Sequence, residues 1–409
     1  MSRIQVLPEN LCNKIAAGEI VERPSSVVKE LIENAIDAGS ARITVETEES
    51  GRRLIRVTDD GEGMGADDAV RAIERHATSK IRSESDLSDI RTMGFRGEAL
   101  PSIASVSRMR LVTSEKGALV GIEVRVSPAG QAQTRETAPM SGTLVEAADL
   151  FYNTPARKKF LRSNSTELSH IVHAVQQQAL AHPWIHFRLT HNGGELLDYP
   201  AVRDEMERAA QVIGMAASRG NGPDLIEIRA EAGSMRLLGL VSKPGVFRAT
   251  REKQEFFLNR RPIKNTTLSH ALSEAYGTLL GKGRHPAAFL FLEVNPEEAD
   301  VNVHPAKREV RFRDAQAIHR FVRNAIRARL IREDGAPGFE ERSAGEAAWD
   351  GGSGRPSGIV TSDAPGRDAV SSASYSREAM AAYRPLRAVP SANPFPAHST
   401  AAPGPPLFS

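Results

Sequence analysis

Cysteine is nearly missing from this chain of 409 residues. Cys12 is the single one, which rules out an intramolecular disulfide and disfavours a cysteine-rich metal site. No uninterrupted apolar stretch approaches the roughly 20 residues needed to cross a bilayer. The opening segment, Met1 to Pro8, has no apolar run of the signal-peptide kind, so a cytoplasmic location is the expectation. A strong field of one sign is also lacking. The formal net charge is +2, and any affinity for nucleic acid must therefore come from local patches. HExxH and CxxC spacings and a Ser-His-Asp signature do not occur, leaving zinc hydrolysis and covalent catalysis without support. The patterns GxxxxGK[ST] and GxGxxG are missing too, so a nucleotide site here would belong to neither of those classes.

What is present is a soluble-type composition, 40% hydrophobic, in a chain long enough for two to three domains of about 150 residues. Composition changes after about Ile331. From Gly335 to Ser409 the chain is rich in Ala, Gly, Pro and Ser, and such a segment cannot bury enough apolar surface to offset its ordering entropy. It reads as a linker whose partner domain lies outside this chain. The remainder reads as two α/β units. The first has helices near Ser26–Asp37, Ala66–His76 and Glu167–Leu180. Its strands fall near Ala41–Glu48, Arg53–Thr58, Arg108–Thr113, Ala118–Val126, Gly142–Ala147 and Ile185–His191. The second has strands near Met235–Ser242, Gln254–Leu258, Ala288–Val294 and Glu309–Phe312, with helices near Leu268–Tyr276 and Ala315–Leu330. The boundary is expected between Pro200 and Ala209.

The strongest single feature is the segment Lys29 to Gly39. Glu30, Glu33, Asn34 and Asp37 recur at i, i+3, i+4 and i+7, which places them on one face of a helix. Val27, Val28, Leu31, Ile32, Ala35 and Ile36 fill the rest of the circumference. A helix that is apolar over most of its surface is buried. Its polar stripe must then face a cavity, a metal or a ligand, because unpaired buried carboxylates are costly.

Other segments carry weaker signals. Asp59-Asp60-Gly61-Glu62-Gly63-Met64-Gly65 follows a strand, and its alternate glycines permit close approach of backbone to a ligand. Alone it reads more readily as an acidic turn, and it lacks the ligand spacing of a calcium-binding loop. Thr92 to Leu100 is a glycine-punctuated loop leading into a helix start, where unpaired N–H groups can cradle phosphate. His76 to Lys80 adds hydroxyls and a cation, although a lone histidine such as His76 is more often structural. Lys307, in the turn Val301 to Glu309, is a point charge able to reach phosphate or simply a solvated lysine. Basic clusters occur at Arg157, Lys158, Lys159 and Arg162, at Arg260, Arg261 and Lys264, and along Arg320, Arg323 and Arg327. Most basic stripes are solvated faces. The Asn259–Lys264 cluster follows an apolar strand and reads as a presented loop.

In this order and spacing the segments resemble the MutL family of DNA mismatch repair proteins. The resemblance covers roughly residues 3 to 331. It runs through Ile15–Pro24, Glu30–Gly39, Asp59–Gly63, Arg75–Lys80, Gly94–Leu100, Phe151–Arg157 and Val301–Arg308. It implies membership of the GHKL ATPase superfamily, with gyrase B, the ninety-kilodalton heat-shock chaperone and sensor histidine kinases. The fold implied is α+β. A Bergerat-type α/β sandwich ATPase domain would span 1–205, a gyrase-B-like, transducer-like α/β domain with a left-handed crossover 206–331, and a disordered tail 332–409.

The resemblance also implies roles. Glu30 orients the water that attacks the γ-phosphate, and Asn34 ligates magnesium. Asp59 accepts from the adenine amine, Gly61 and Gly63 let the base approach, and Thr143 helps hold the adenine end. Thr78, Ser79 and Lys80 with Gly94, Phe95, Arg96, Gly97, Glu98, Ala99 and Leu100 form a lid over the phosphates. Lys307 contacts the γ-phosphate from the second domain. The implied cofactors are ATP and magnesium. The implied activity is a slow, regulatory ATP hydrolysis that drives N-terminal homodimerisation into a DNA-holding clamp. That clamp would couple the mismatch-recognition protein MutS to a downstream nuclease or helicase, at the nucleoid and not at a membrane. DNA would be held by its backbone through Arg260, Arg261 and Lys264. A topoisomerase subunit, a chaperone, a sensor kinase and a nucleotide-independent binding module are the competing readings. Two departures stand out. Asp60 occupies a position where many relatives carry asparagine, and this chain contains neither the dimerisation domain nor the endonuclease motif of longer relatives.

Overall fold

Strand β1 (Arg42–Glu48) pairs antiparallel with β2 (Leu54–Asp59) and parallel with β7 (His186–His191), and this central trio anchors an eight-stranded sheet. The structure is a computed structural model that describes residues 17–18, 20–80, 92–94, 97–127, 131–213, 225–251, 253–300 and 310–333. These fall in one compact unit, Met1–Glu340, whereas the unit Glu341–Ser409 lies outside the described residues.

The remaining strands of the first sheet are β3 (Arg108–Thr113), β4 (Gly121–Val126), β5 (Ala132–Thr137), β6 (Thr143–Ala148) and β8 (Gly194–Tyr199). Their order is β5-β4-β3-β6-β2-β1-β7-β8. Residues alternate across the pleat, so Ile43, Val45, Ile55, Val57, Leu111, Val145 and Ala147 all enter one core. Helices α1 (Pro24–Asp37), α3 (Ala99–Val106) and α5 (Asn164–Ala181) cover that face with Val28, Leu31, Ile32, Ile103, Val106, Ile171 and Val175. The opposite face is a charged ladder. Arg56 bonds Glu146 at 2.7 Å and Glu46 at 2.5 Å, and Arg110 reaches Glu146 at 3.3 Å and Glu123 at 2.9 Å. One apolar face under helices and one polar face is the two-layer solution expected of a mostly antiparallel sheet.

The second sheet runs β12 (Arg261–Ile263), β11 (Gln254–Leu258), β13 (Ala288–Glu293), β10 (Met235–Ser242) and β9 (Leu225–Ala232). β11 and β13 are parallel neighbours joined through α7 (Thr266–Tyr276). Phe256, Leu258, Leu290 and Leu292 face α7 and α8 (Ala315–Glu333). Phe257, Phe289 and Phe291 point the other way, against Leu180 and Ala181 of α5 and Ala209 of α6 (Glu205–Ile213). Burial on both faces explains the unbroken apolar run Ala288 to Leu292.

Several expectations need adjustment. The helix expected over Ala66–His76 is shorter: α2 spans Ala66–Arg71. Strands β5, β8 and β9 went unpredicted. β5 is exposed along most of its length and carries no apolar alternation. The expected boundary zone contains α6, where Arg208 is fully buried and donates to the carbonyls of Tyr199, Pro183 and Ile185 at 2.9, 2.7 and 2.6 Å. Burial lowers the Arg208 pKa to about 10. The expected tail begins too early, since Arg332 and Glu333 continue α8. The rest of that tail and the turn Val301 to Glu309 lie outside the described residues.

Candidate active site

α1 begins with Pro24 in its first turn, where a missing N–H costs nothing, and buries Val27, Val28, Leu31, Ile32 and Ala35. The polar stripe is half-buried to buried, as expected. Lys29 bridges Glu30 at 3.0 Å and Glu33 at 2.9 Å, and Gln178 of α5 donates to Glu33 at 3.2 Å. Burial alone would lower the Lys29 pKa, but Glu33 and Glu30 beside it hold it above the ordinary value. The ammonium therefore stays charged and keeps two carboxylates together on one helix. The sequence reading passed over Lys29, whose i, i+4 relation to Glu33 was the available signal.

One turn on, Lys80 lies between Asn34 and Asp37, its ammonium donating to Asn34 Oδ1 at 3.1 Å and pairing with Asp37 Oδ2. Asp37 also accepts from the backbone N–H of Met93 at 2.8 Å and of Gly94 at 3.0 Å. A carboxylate that gathers an ammonium and two amides fixes the root of the glycine loop against the helix. Thr78 Oγ1 accepts from Lys80 N–H at 3.2 Å, and Ser79 is exposed. Gly97 has φ +61°, and its carbonyl accepts from His76 N–H at 3.1 Å. Glu98 precedes α3 and stands 3.8 Å from His76, while Ala99 and Leu100 open that helix, Leu100 against the core. Phe95, Arg96 and Lys307 lie outside the described residues.

At the end of β2, Asp59 is buried and its Oδ1 accepts from Gly61 N–H at 2.9 Å and Thr143 N–H at 3.3 Å. Burial raises its pKa, against the lowering effect of those bonds and of Ser40. Thr143 and Thr113 share a hydroxyl bond of 2.9 Å, and Met64 N–H donates to Thr113 at 3.0 Å, so the turn is tied to β3 and β6. Gly63 sits at φ +71°, where an added Cβ would fall 1.9 Å from the Ser114 carbonyl. Asp60 turns outward and accepts from Ala41 and Arg42 N–H at 2.8 and 2.7 Å. Its carboxylate caps the start of β1, and its charge adds to the rise in the Asp59 pKa.

The basic loop of the second sheet differs from expectation. Arg261 is not presented to solvent. It is 9% exposed, donates to the Thr92 carbonyl, and lines a crevice with Lys29, Glu33 and Met93. Its burial lowers its pKa, with Glu33 and Asp37 acting in the opposite sense. Strand alternation turns Arg261 and Ile263 inward while Lys264 remains exposed, a split that a charge count cannot see. Arg260, at φ +68°, lays its guanidinium 4.5 Å from the Trp184 ring centroid.

The layered sheet, with the carboxylate–amide stripe on its buried helix and the aspartate–glycine turn at the end of β2, has the fold of a GHKL-type ATPase domain. The family model of histidine kinase-, DNA gyrase B- and HSP90-like ATPases matches residues 22–149, and that of the DNA mismatch repair protein C-terminal domain matches 213–331. MutL of Syntrophotalea carbinolica is 48% identical over 80% of this chain and 52% of its own length. MutL of Opitutus terrae is 48% identical over 81% and 52%. The chain belongs to the MutL family of DNA mismatch repair proteins. It spans about half the length of the curated relatives it matches. Among solved structures, the Aquifex aeolicus MutL ATPase domain complexed with ADP aligns with TM-score 0.51 and 27% identity, covering 74% of this chain and 98% of that one. The N-terminal domain of a DNA repair protein shares the fold at TM-score 0.67 and 23% identity, covering 79% of this chain and 99% of that one. No helix among the described residues is long and apolar enough to cross a membrane.

Proposed function

We propose that this chain binds and slowly hydrolyses ATP, and that nucleotide state controls its assembly on DNA during mismatch repair. The observation that carries this reading is the convergence of the α1 stripe, Asp59 and the Lys80–Gly94 loop root on one side of the first sheet. Asp59, with its neighbours Gly61 and Gly63, receives the adenine amine, and Thr143 fixes the Asp59 carboxylate. Thr78, Ser79, Lys80 and the Gly94–Leu100 segment, Phe95 and Arg96 included, close over the phosphates, and Lys307 reports the γ-phosphate. Glu30 orients the attacking water. Phosphoryl transfer to water needs positioning and charge neutralisation more than covalent chemistry, and this set of groups supplies both.

Asn34 Oδ1 is a hard oxygen that already accepts from an ammonium, which suits it to hold magnesium. When bound, that ion neutralises phosphate charge. Residues 1–205 would act as the ATPase domain and 206–331 as the transducer. The buried phenylalanine junction and the Arg261–Thr92 bond support a coupling between them. ATP binding would then favour a homodimeric clamp on the DNA backbone, coupling MutS to a downstream nuclease or helicase. Nothing beyond ATP hydrolysis is asked of the chain chemically. Sedimentation velocity with and without a non-hydrolysable ATP analogue tests the assembly step. A nucleotide-dependent shift from monomer to dimer supports it, and an unchanged distribution at saturating analogue contradicts it.

A further inference from the structure

Helices α7 and α8 bring together His270, Glu274 and His319, none of which is assigned a role above, at the surface of the second core. His270 Nδ1 stands 2.9 Å from His319 Nε2, His319 Nε2 3.2 Å from Glu274 Oε2, and His270 Nδ1 3.8 Å from the same oxygen. Two imidazole nitrogens and a carboxylate oxygen thus form a triangle. Around a tetrahedral ion with bonds of about 2.0–2.1 Å, ligand atoms stand about 3.3 Å apart, which is the scale of these three edges.

The triangle rests on rigid supports. Leu268, Ala271, Leu272 and Ala275 of α7 pack in the same core as Ile318, Val322 and Ile326 of α8. The backbones that carry the donors are therefore fixed by burial and not by the donors themselves. His270 and Glu274 share a helix face at i, i+4, and Arg323 does the same with His319 on α8. Arg323 donates to Glu274 Oε1 at 2.8 Å, which turns Oε2 toward the imidazoles.

We infer that His270, Glu274 and His319 form a site for one divalent first-row transition ion, which staples α7 to α8. The donor set, two nitrogens and one oxygen, favours zinc, cobalt, nickel or copper over magnesium and calcium. Three protein ligands leave the remaining coordination to water. The N–H that lies between the two rings moves to the outer nitrogen of its own ring, so both facing nitrogens become lone-pair donors.

The test is a titration of the full chain, free of any histidine tag, with Co(II) at neutral pH. Visible absorption and equilibrium dialysis give geometry and stoichiometry, and Zn(II) is then used to displace the cobalt. We expect one ion per chain. His270→Asn and His319→Asn should each weaken binding by about 100-fold or more, since even groups that only orient metal ligands cost about 10–100-fold. Zn(II) should raise the melting temperature of the wild type and leave His270→Asn unmoved. His270 is largely exposed, with 73% of its side chain accessible, so its replacement leaves the fold intact and circular dichroism verifies this. Cobalt bound with the same affinity by both variants, or not bound by the wild type, overturns the inference.

Discussion

The Arg261 guanidinium, carried on an edge strand of the second sheet, donates to the carbonyl oxygen of Thr92, two residues before Gly94. Gly94 is in turn bonded to Asp37 on the polar helix. A movement of the glycine loop therefore pulls on both the helix and the second sheet. Replacing Arg261 by alanine removes a buried charge-assisted donor and should cost about 1–3 kcal/mol in urea unfolding. Arg261→Lys should recover only part of that loss, because an ammonium lacks the planar fork.

DNA binding separates the three basic residues of that loop. Arg260 and Lys264 are exposed, whereas Arg261 is committed inward. Arg260→Ala and Lys264→Ala should each flatten the log affinity against log salt plot by about 0.9 for duplex DNA. Arg261→Gln, which also removes the charge, should leave the slope unchanged. Equal slope changes at all three positions would show that Arg261 reaches phosphate.

Asp59 ties affinity to a cost in stability. Its pKa is raised by burial, so the fold favours its protonated form. That contribution is present below the ordinary aspartate value of 3.8 and is lost as pH rises through the elevated pKa. At neutral pH the charged group is a burden that Asp59→Asn removes. The variant should be at least as stable as wild type at pH 7 and lack the falling limb above the ordinary value. It should bind ATP about 10–100-fold more weakly, because its amide presents a second donor to the adenine amine. Denaturant titrations across pH, with fluorescent nucleotide binding, check both halves.

Lys29 holds Glu30 and Glu33 side by side. Lys29→Met leaves the buried Glu33 and the half-buried Glu30 without their shared cation and should destabilise the chain by about 3 kcal/mol. The lysine's own pKa is raised, so its contribution is intact below 10.5 and lost only as pH rises through the elevated value. Through Glu30 it is a positioning residue. The acidic limb of the pH–rate profile should move to higher pH in the variant, which a merely structural lysine would not cause.

Much of this was legible from residues alone, for identifiable reasons. The α1 stripe could be read because four polar groups at helical spacing contradict an otherwise apolar segment. The bonds that Asp37 makes to Lys80, Met93 and Gly94 come from a segment distant in the chain, and helical spacing alone does not encode them. Strand β8 was missed although Asn192-Gly193, with φ +50° and +79°, is a two-residue hairpin signal between His191 and Gly194. Strand β9 likewise alternates Ile226, Ile228 and Ala230 with Glu227, Arg229 and Glu231, a period-two signal that was available in the sequence. Arg208 and Arg261 were illegible for a different reason. Their burial depends on carbonyls supplied by distant segments, and no local pattern encodes those.

The central claim is that Glu30 serves hydrolysis and not nucleotide affinity. The most direct measurement compares Glu30→Ala with wild type for magnesium-dependent ATP turnover and for equilibrium binding of a non-hydrolysable analogue. The account predicts a turnover reduced by about 100-fold or more, the scale of a lost general base, with analogue affinity within about threefold of wild type. Normal hydrolysis by Glu30→Ala would contradict it outright. Loss of binding together with turnover would assign Glu30 to the architecture of the stripe instead.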